Sequence, residues 1–155
     1  MNDTPVGWLY DLQHSGIKLG LDNIRALLEV LEHPERSYPS VLVAGTNGKG
    51  SVAAMLESML RAHGIRAGMF TSPHLVRPNE RIRIDGRDIS DDALDALLIE
   101  MRARIEDGIA RGALEICPSF FEVVTATALQ GFKEHEIGCG VLEIGMGGRL
   151  DATNA

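Results

Sequence analysis

The stretch VLVAGTNGKGSVAAML, residues 41–56, carries the first side chains able to do chemistry. Gly45, Gly48 and Gly50 surround Lys49, and Ser51 follows. The usual phosphate loop reads G-x-x-x-x-G-K-[ST]. Here the first gap is shorter, and Gly50 separates Lys49 from Ser51. The physical parts are still present. Glycines let backbone N–H groups approach phosphate oxygens. A helix N-terminus at Ser51 favours anions. Lys49 can reach the β- and γ-phosphates, and the Ser51 hydroxyl can sit near them or near their magnesium. The competing reading is a tight strand-to-helix turn with a solvated lysine. A phosphate loop alone names no reaction.

Other residues carry chemistry less specifically. Glu143 ends an apolar run, where an unpaired carboxylate is costly, so it should meet a cation. An arginine would serve as well as a metal. Ser72 precedes Pro73 and reads alone as turn chemistry. His74 suits a role within that loop at least as well as a chemical one. Ser119 and Glu122 fit the S-x-x-E capping box, a structural device. Arg77, Arg81 and Arg83 form a basic patch in an acidic chain and read mostly as a solvated hairpin face, although one could face an anionic substrate. Cys117 and Cys139 are the two cysteines, and their spacing is not C-x-x-C. They read as two reduced, partly buried thiols.

The elements that must position these residues alternate between strand and helix. Apolar spacing predicts a helix over 21–31, ended by His33-Pro34. A strand follows at 41–44, then a helix over 51–63 with Gly64 as its C-cap. A second strand, RAGMF, is followed by an irregular stretch over 71–79. RIRIDGRDIS predicts a small hairpin turning at Asp85-Gly86. Ser90, Asp91 and Asp92 open a charge-rich amphipathic helix running to about Gly108. Pro118-Ser119 opens another, to about His135. CGVLEIG is a third buried strand, and MGGRLDATNA a loop. The class is α/β, a mainly parallel sheet of P-loop type flanked by helices. Ligands then belong at the strands' carboxyl ends, where the loops at Gly45 and Thr71 and the residues after Glu143 converge.

The chain has 155 residues, 45% hydrophobic and 24% charged, with a formal net charge of −7. That suits one soluble domain with a real core. The acidic balance argues against a general nucleic-acid or anionic-membrane surface. The start lacks the pattern of a signal peptide and no apolar run spans a bilayer, so a cytoplasmic location is expected. A glycine-rich loop at the end of the chain suggests a fragment of something longer.

GTNGKGS closely resembles the ATP loop of the Mur ligase superfamily. Within it, the chain is similar to folylpolyglutamate synthase/dihydrofolate synthase. The further resemblance lies in IKLGL at Ile17, TSPHLVRPNERIRIDG at Thr71, SFFE at Ser119 and LEIGMGGRLDATN at Leu142. The loop marks the superfamily; the SPHL…NERI and GGRLDATN stretches mark the folate branch. The resemblance implies an ATP-dependent amide ligase that phosphorylates a carboxylate of dihydropteroate or folate and couples it to L-glutamate. Thr46, Asn47, Gly48, Lys49, Gly50 and Ser51 would bind ATP, with Lys49 catalytic. Ser72 and Glu143 would be Mg2+ ligands. Lys18, Leu19 and Gly20, with Ser119, Phe120, Phe121 and Glu122, would line the pteroate pocket, a phenylalanine packing on the flat ring. Leu150, Asp151 and Ala152 would complete it, Asp151 accepting from pterin nitrogens. Without the resemblance, Leu150 to Ala152 is a polar turn, with Asp151 free to cap the next element.

Residues 1–155 would then be the N-terminal part of the ATP-binding domain, without the C-terminal domain. Little or no ligase activity is expected of this chain alone, exposed apolar surface is expected where the missing parts dock, and the full-length enzyme is expected to be a monomer. Three other readings stay open: a Mur-type peptidoglycan ligase, a non-catalytic nucleotide-binding fragment, and a P-loop hydrolase.

Overall fold

The structure, a computed structural model, describes residues 4–15 and 20–155. Five strands form one sheet: β1 (Ser40–Val43), β2 (Ala67–Phe70), β3 (Ile82–Ile84), β4 (Arg87–Asp88) and β5 (Cys139–Glu143). Their order is β1-β5-β2-β3-β4. β5 runs parallel to both β1 and β2, while β3 and β4 run antiparallel to their neighbours. The sheet is therefore mixed, not mainly parallel. The correction has a physical source. The chain returns from β2 to β3 through a loop and a short 3-10 turn, Pro78–Arg81, with no crossover helix to restore the strand direction. The expected hairpin forms at Asp85-Gly86, with Asp85 at φ 51° and Gly86 at φ 80°.

Helix α1 (Pro5–Asp11) precedes anything the hydrophobic spacing indicates. Its start signal is local: Thr4 accepts a hydrogen bond from Gly7 N at 3.1 Å, and Pro5 follows it. The other helices are α2 (Asp22–Val30), α3 (Lys49–Ala62), α4 (Asp91–Ala110) and α5 (Phe120–Glu134). α3 begins two residues before the expected Ser51, because Gly48 at φ 74° supplies the left-handed turn into it. α4 is capped by Ser90, whose side chain accepts from Ala93 N at 3.2 Å. No helix among the described residues is long and apolar enough to cross a membrane.

The two faces of the sheet carry different loads. Val43, Met69 and Val141 pack with Ala53 under α3. On the other face, Phe70, Ile82 and Leu142 join a larger core with residues of α1, α2, α4 and α5. Gly68 and Gly140 sit opposite each other in register on β2 and β5. They leave a shallow trough, filled by Phe132 and Tyr38, whose rings meet edge to face at 6.0 Å. The Tyr38 hydroxyl donates to Leu129 O at 3.0 Å. Burial, with Glu35 adding to it, pushes that hydroxyl well above its ordinary pKa.

The cysteines, expected to be partly buried, divide: Cys139 is buried in β5 and Cys117 is exposed. Exposed apolar side chains line the β1 edge at Val41 and Leu42 and the outer side of α3 at Val52, Met55 and Met59.

Candidate functional site

Three strand ends build the site. Val43 and Glu143 are register partners at the ends of β1 and β5, and Phe70 pairs with Leu142 one step back. The chain leaves β1 into the loop 44–48, which turns directly into α3. The Lys49 stem folds back over the loop: a Cβ built on Gly45 would stand 3.7 Å from Lys49 Cγ. The exposed backbone at Thr46, Asn47 and Gly48 opens at the N-terminus of α3, a 14-residue helix. The first N–H groups of a helix and its dipole together favour an anion at such a position.

Glu143 faces that helix start. A Cβ on Gly50 would lie 3.7 Å from Glu143 Oε2, so glycine keeps the space beside the carboxylate open. Ser72 N donates to the same oxygen at 3.2 Å. Glu143 is 7% exposed, and among the described residues no arginine or lysine pairs with it. The arginine partner that the sequence left open is absent there. A buried carboxylate lacking a protein cation fits a metal site. No cluster of three or more His, Cys, Asp or Glu able to hold a metal occurs among the described residues. Glu143 with the Ser72 hydroxyl would thus supply only part of a shell. That suits magnesium, which takes hard oxygens and keeps waters and phosphates as partners.

Beside this point lies a cavity of about 480 Å³. Ser72, Phe120, Phe121, Leu150 and Ala152 line it, as do Gly20, Ser119, Glu122 and Asp151. Of the residues assigned to the substrate by resemblance, Lys18 and Leu19 lie outside the described residues; the rest come together here. Phe120 stacks on Tyr10 with centroids 5.9 Å apart, while Phe121 tilts against Phe70 at 6.1 Å. Leu150 and Met146 are exposed at the rim, which offers a flat apolar ligand a second wall.

Two carboxylates in this wall have structural work. Glu122 Oε2 accepts from Ser119 N at 2.7 Å, Ser119 Oγ at 2.8 Å and Asn23 Nδ2 at 2.9 Å. The capping box is formed, and Asn23 ties it to α2. Asp151 accepts from Met146 N at 2.7 Å, Thr153 N at 3.0 Å and Thr153 Oγ1 at 2.6 Å. It clamps the loop after β5 and caps the short 3-10 turn Ala152–Asn154.

The basic patch divides. Arg77 pairs with Asp91 at 3.3 Å and Arg83 with Asp88 at 3.1 Å, whereas Arg81 is buried and reaches the cavity. Of the three arginines, one of which the sequence left open to face an anionic substrate, Arg81 is the one at the cavity; Met146 and Gly145 line it too and were missed, although they fall in a stretch that the sequence singled out. His74 does serve the loop: its ring bridges Tyr10 and Arg81. Its pKa is lowered, first by burial and then by Arg81, against a raising effect of Glu80.

The loop that carries Ser72 is held by Glu80, which accepts from Leu75 N at 2.7 Å, Val76 N at 2.9 Å and Arg77 N at 2.8 Å. These bonds hold the carboxyl below its ordinary pKa, the Leu75 bond contributing most. A depressed carboxyl stabilises the fold above its unfolded pKa and loses that contribution as pH falls through the folded value. Glu80→Gln is expected to speed hydrogen exchange at the amides of Leu75, Val76 and Arg77 at neutral pH, with little change in α5. Acidification of the unsubstituted chain through the carboxylate range should loosen the same three amides. Amide exchange read by NMR checks both.

No family model matches the chain. It is 40% identical over 150 residues to the dihydrofolate synthase/folylpolyglutamate synthase of Bacillus subtilis strain 168, across 95% of this chain and 34% of that protein. The chain is a homologue of the folylpolyglutamate synthase/dihydrofolate synthase family. A Mycobacterium tuberculosis folylpolyglutamate synthase complexed with ADP and AMPPCP matches this homologue with a TM-score of 0.87 at 40% identity, over 97% of this chain and 34% of that one. A bifunctional folylpolyglutamate synthase/dihydrofolate synthase with Mn, AMPPNP and L-glutamate bound matches it with a TM-score of 0.85 at 37% identity, over 99% of this chain and 36% of that one. The homologue thus spans about one third of the length of these relatives.

Proposed function

We propose that this chain is the nucleotide- and pteroate-binding part of an ATP-dependent ligase that joins L-glutamate to dihydropteroate or to a folate. Residues 1–155 would then form the N-terminal part of a Mur-ligase-like ATP-binding domain. The observation that carries the reading is the convergence of three strand ends. The glycine loop, Ser72 and the unpaired Glu143 meet beside a cavity walled by Phe120, Phe121 and Leu150. Relatives with nucleotide, manganese and glutamate bound support it.

In this reading Thr46, Asn47 and Gly48 present backbone N–H groups to the phosphates, and Lys49 neutralises charge on the β- and γ-phosphates. Ser51 lies in the first turn of α3 and adds a hydroxyl. Ser72 and Glu143 would hold Mg2+, which offsets phosphate charge when bound. The cavity would exclude water from the ligand's bicyclic ring and aim the carboxylate at the ligand's other end toward the γ-phosphorus. The carboxylate oxygen bonds to that phosphorus while the bond to ADP breaks, giving an acyl phosphate. The amine of glutamate then attacks the acyl carbon, phosphate leaves, and the amine loses a proton. Most of the rate enhancement is positioning and charge neutralisation, with no side chain forming a covalent intermediate.

Calorimetric titration tests the reading. Mg-ATP is expected to bind, binding should weaken when magnesium is chelated, and dihydropteroate should bind to the nucleotide-loaded chain. Glu143→Ala should remove most of the magnesium dependence. Nucleotide binding indifferent to magnesium would overturn the metal assignment, and absence of dihydropteroate binding would overturn the pteroate assignment.

A further inference from the structure

Among the described residues, Arg81 is the one cation that lines the cavity, and no carboxylate pairs with it. It is 7% exposed and lines the cavity wall. Its position is over-determined. Its carbonyl accepts from Thr71 N at 3.0 Å, its Nε donates to His74 Nδ1 at 2.7 Å, and its guanidinium lies 5.3 Å from the Phe120 centroid. Because His74 Nδ1 accepts from Arg81, the ring proton sits on Nε2, which donates to Tyr10 Oη across 3.1 Å. Tyr10 in turn stacks on Phe120 with planes 15° apart. Arg81, His74, Tyr10 and Phe120 thus form a closed ring of contacts around one guanidinium.

The acids nearby each serve neutral donors instead. Glu80, the preceding residue, spends its carboxylate on three backbone amides of the loop. Glu122 and Asp151, the two acids of the cavity wall, each accept three hydrogen bonds from neutral donors. No carboxylate pairs with Arg81 among the described residues, and its Nη groups donate to no protein acceptor there. A guanidinium cannot shed its charge, and burying it unpaired is costly. In a chain of net charge −7, such a pre-oriented cation is a site waiting for an anion.

We propose that Arg81 receives the carboxylate of the cavity's ligand, a flat aryl carboxylic acid, through its free Nη groups. The proposal rests on the ligase reading above and deepens it: Arg81 would hold the group to be phosphorylated on the Ser72 side of the cavity. His74 and Tyr10 are positioning residues that fix the guanidinium plane. The pair is charge-assisted and bidentate, the geometry for which arginine is suited and lysine less so.

The test is equilibrium binding of dihydropteroate and of its methyl ester to the full chain. The unsubstituted chain should prefer the acid by about tenfold or more, the usual scale for a charge-assisted pair. Arg81→Met should weaken acid binding by about the same factor and leave ester and Mg-ATP binding within about twofold. Arg81→Lys should keep part of the preference, and His74→Gln should reduce it while ester binding holds. Equal affinity of the unsubstituted chain for acid and ester overturns the proposal without any variant. So does a parallel loss of acid and ester binding in a folded Arg81→Met chain, which would place Arg81 against the ring. Failure of the unsubstituted chain to bind either compound overturns the pteroate assignment itself, and this proposal with it.

Discussion

Lys49→Ala is expected to weaken Mg-ATP binding by about tenfold to a hundredfold, the range for losing one hydrogen-bonded charge from a phosphate site. The stability of the chain should barely change. Lys49 is only half-buried, at the first position of α3, where its stem covers Gly45 and no protein acceptor. Among the described residues no carboxylate pairs with its charge. The backbone donors of the loop remain in the variant, so some phosphate affinity should persist. Lys49→Arg keeps the charge but widens and lengthens the head group, and should recover only part of the loss. Calorimetry with Mg-ATP, beside a thermal melt of each variant, checks this. Unchanged affinity in Lys49→Ala would reduce the loop to a strand-to-helix turn.

Much of this site is visible in the sequence because its signals are local. The glycine spacing around Lys49, the Asp85-Gly86 turn and the Ser119–Glu122 capping box each fix a few neighbouring residues, and each forms. What the sequence hides is long-range. Asn23 completes the bonding of Glu122 from 99 positions away. The insertion of β5 between β1 and β2, and the reversal at β3, are matters of strand pairing that no local pattern encodes. The three arginines show the limit most sharply. By strand alternation Arg81 and Arg83 would share a face, but Arg81 ends a 3-10 turn before β3 begins, so the period of two does not reach it. Arg83 then pairs at the hairpin surface while Arg81 turns inward. Helix α1 was missed for a different reason: at seven residues it is too short to show a periodic apolar face, and its start signal is the Thr4-Pro5 pair.

Gly68→Ala is expected to destabilise the chain by about 1–3 kcal/mol, the usual cost of forcing extra volume into a packed core. The residue looks dispensable in RAGMF, since glycine normally weakens a strand. Here it lies in the central strand of the sheet, with its β2 neighbours all buried. A Cβ at this position would stand 2.7 Å from both Ile137 Cδ1 and Phe132 Cδ1. Phe132 is fully buried in α5, with Tyr38 against its edge, so it has little room to yield. The cost should appear as a fall in melting temperature of roughly 3–10 °C. Gly68→Val should do worse, although valine is the better strand former, because packing outweighs propensity in a central strand. Phe132→Leu alone should also destabilise, by loss of buried ring surface. Combined with Gly68→Ala it should cost less than the sum, since the smaller side chain vacates the space that the methyl needs. Strict additivity in that double-variant cycle would mean that Phe132 is not what confines position 68. A Gly68→Ala chain as stable as the original would show that α5 can shift away from the sheet. Since α5 begins at Phe120 and carries one wall of the cavity, the same melt also reports how firmly that wall is held.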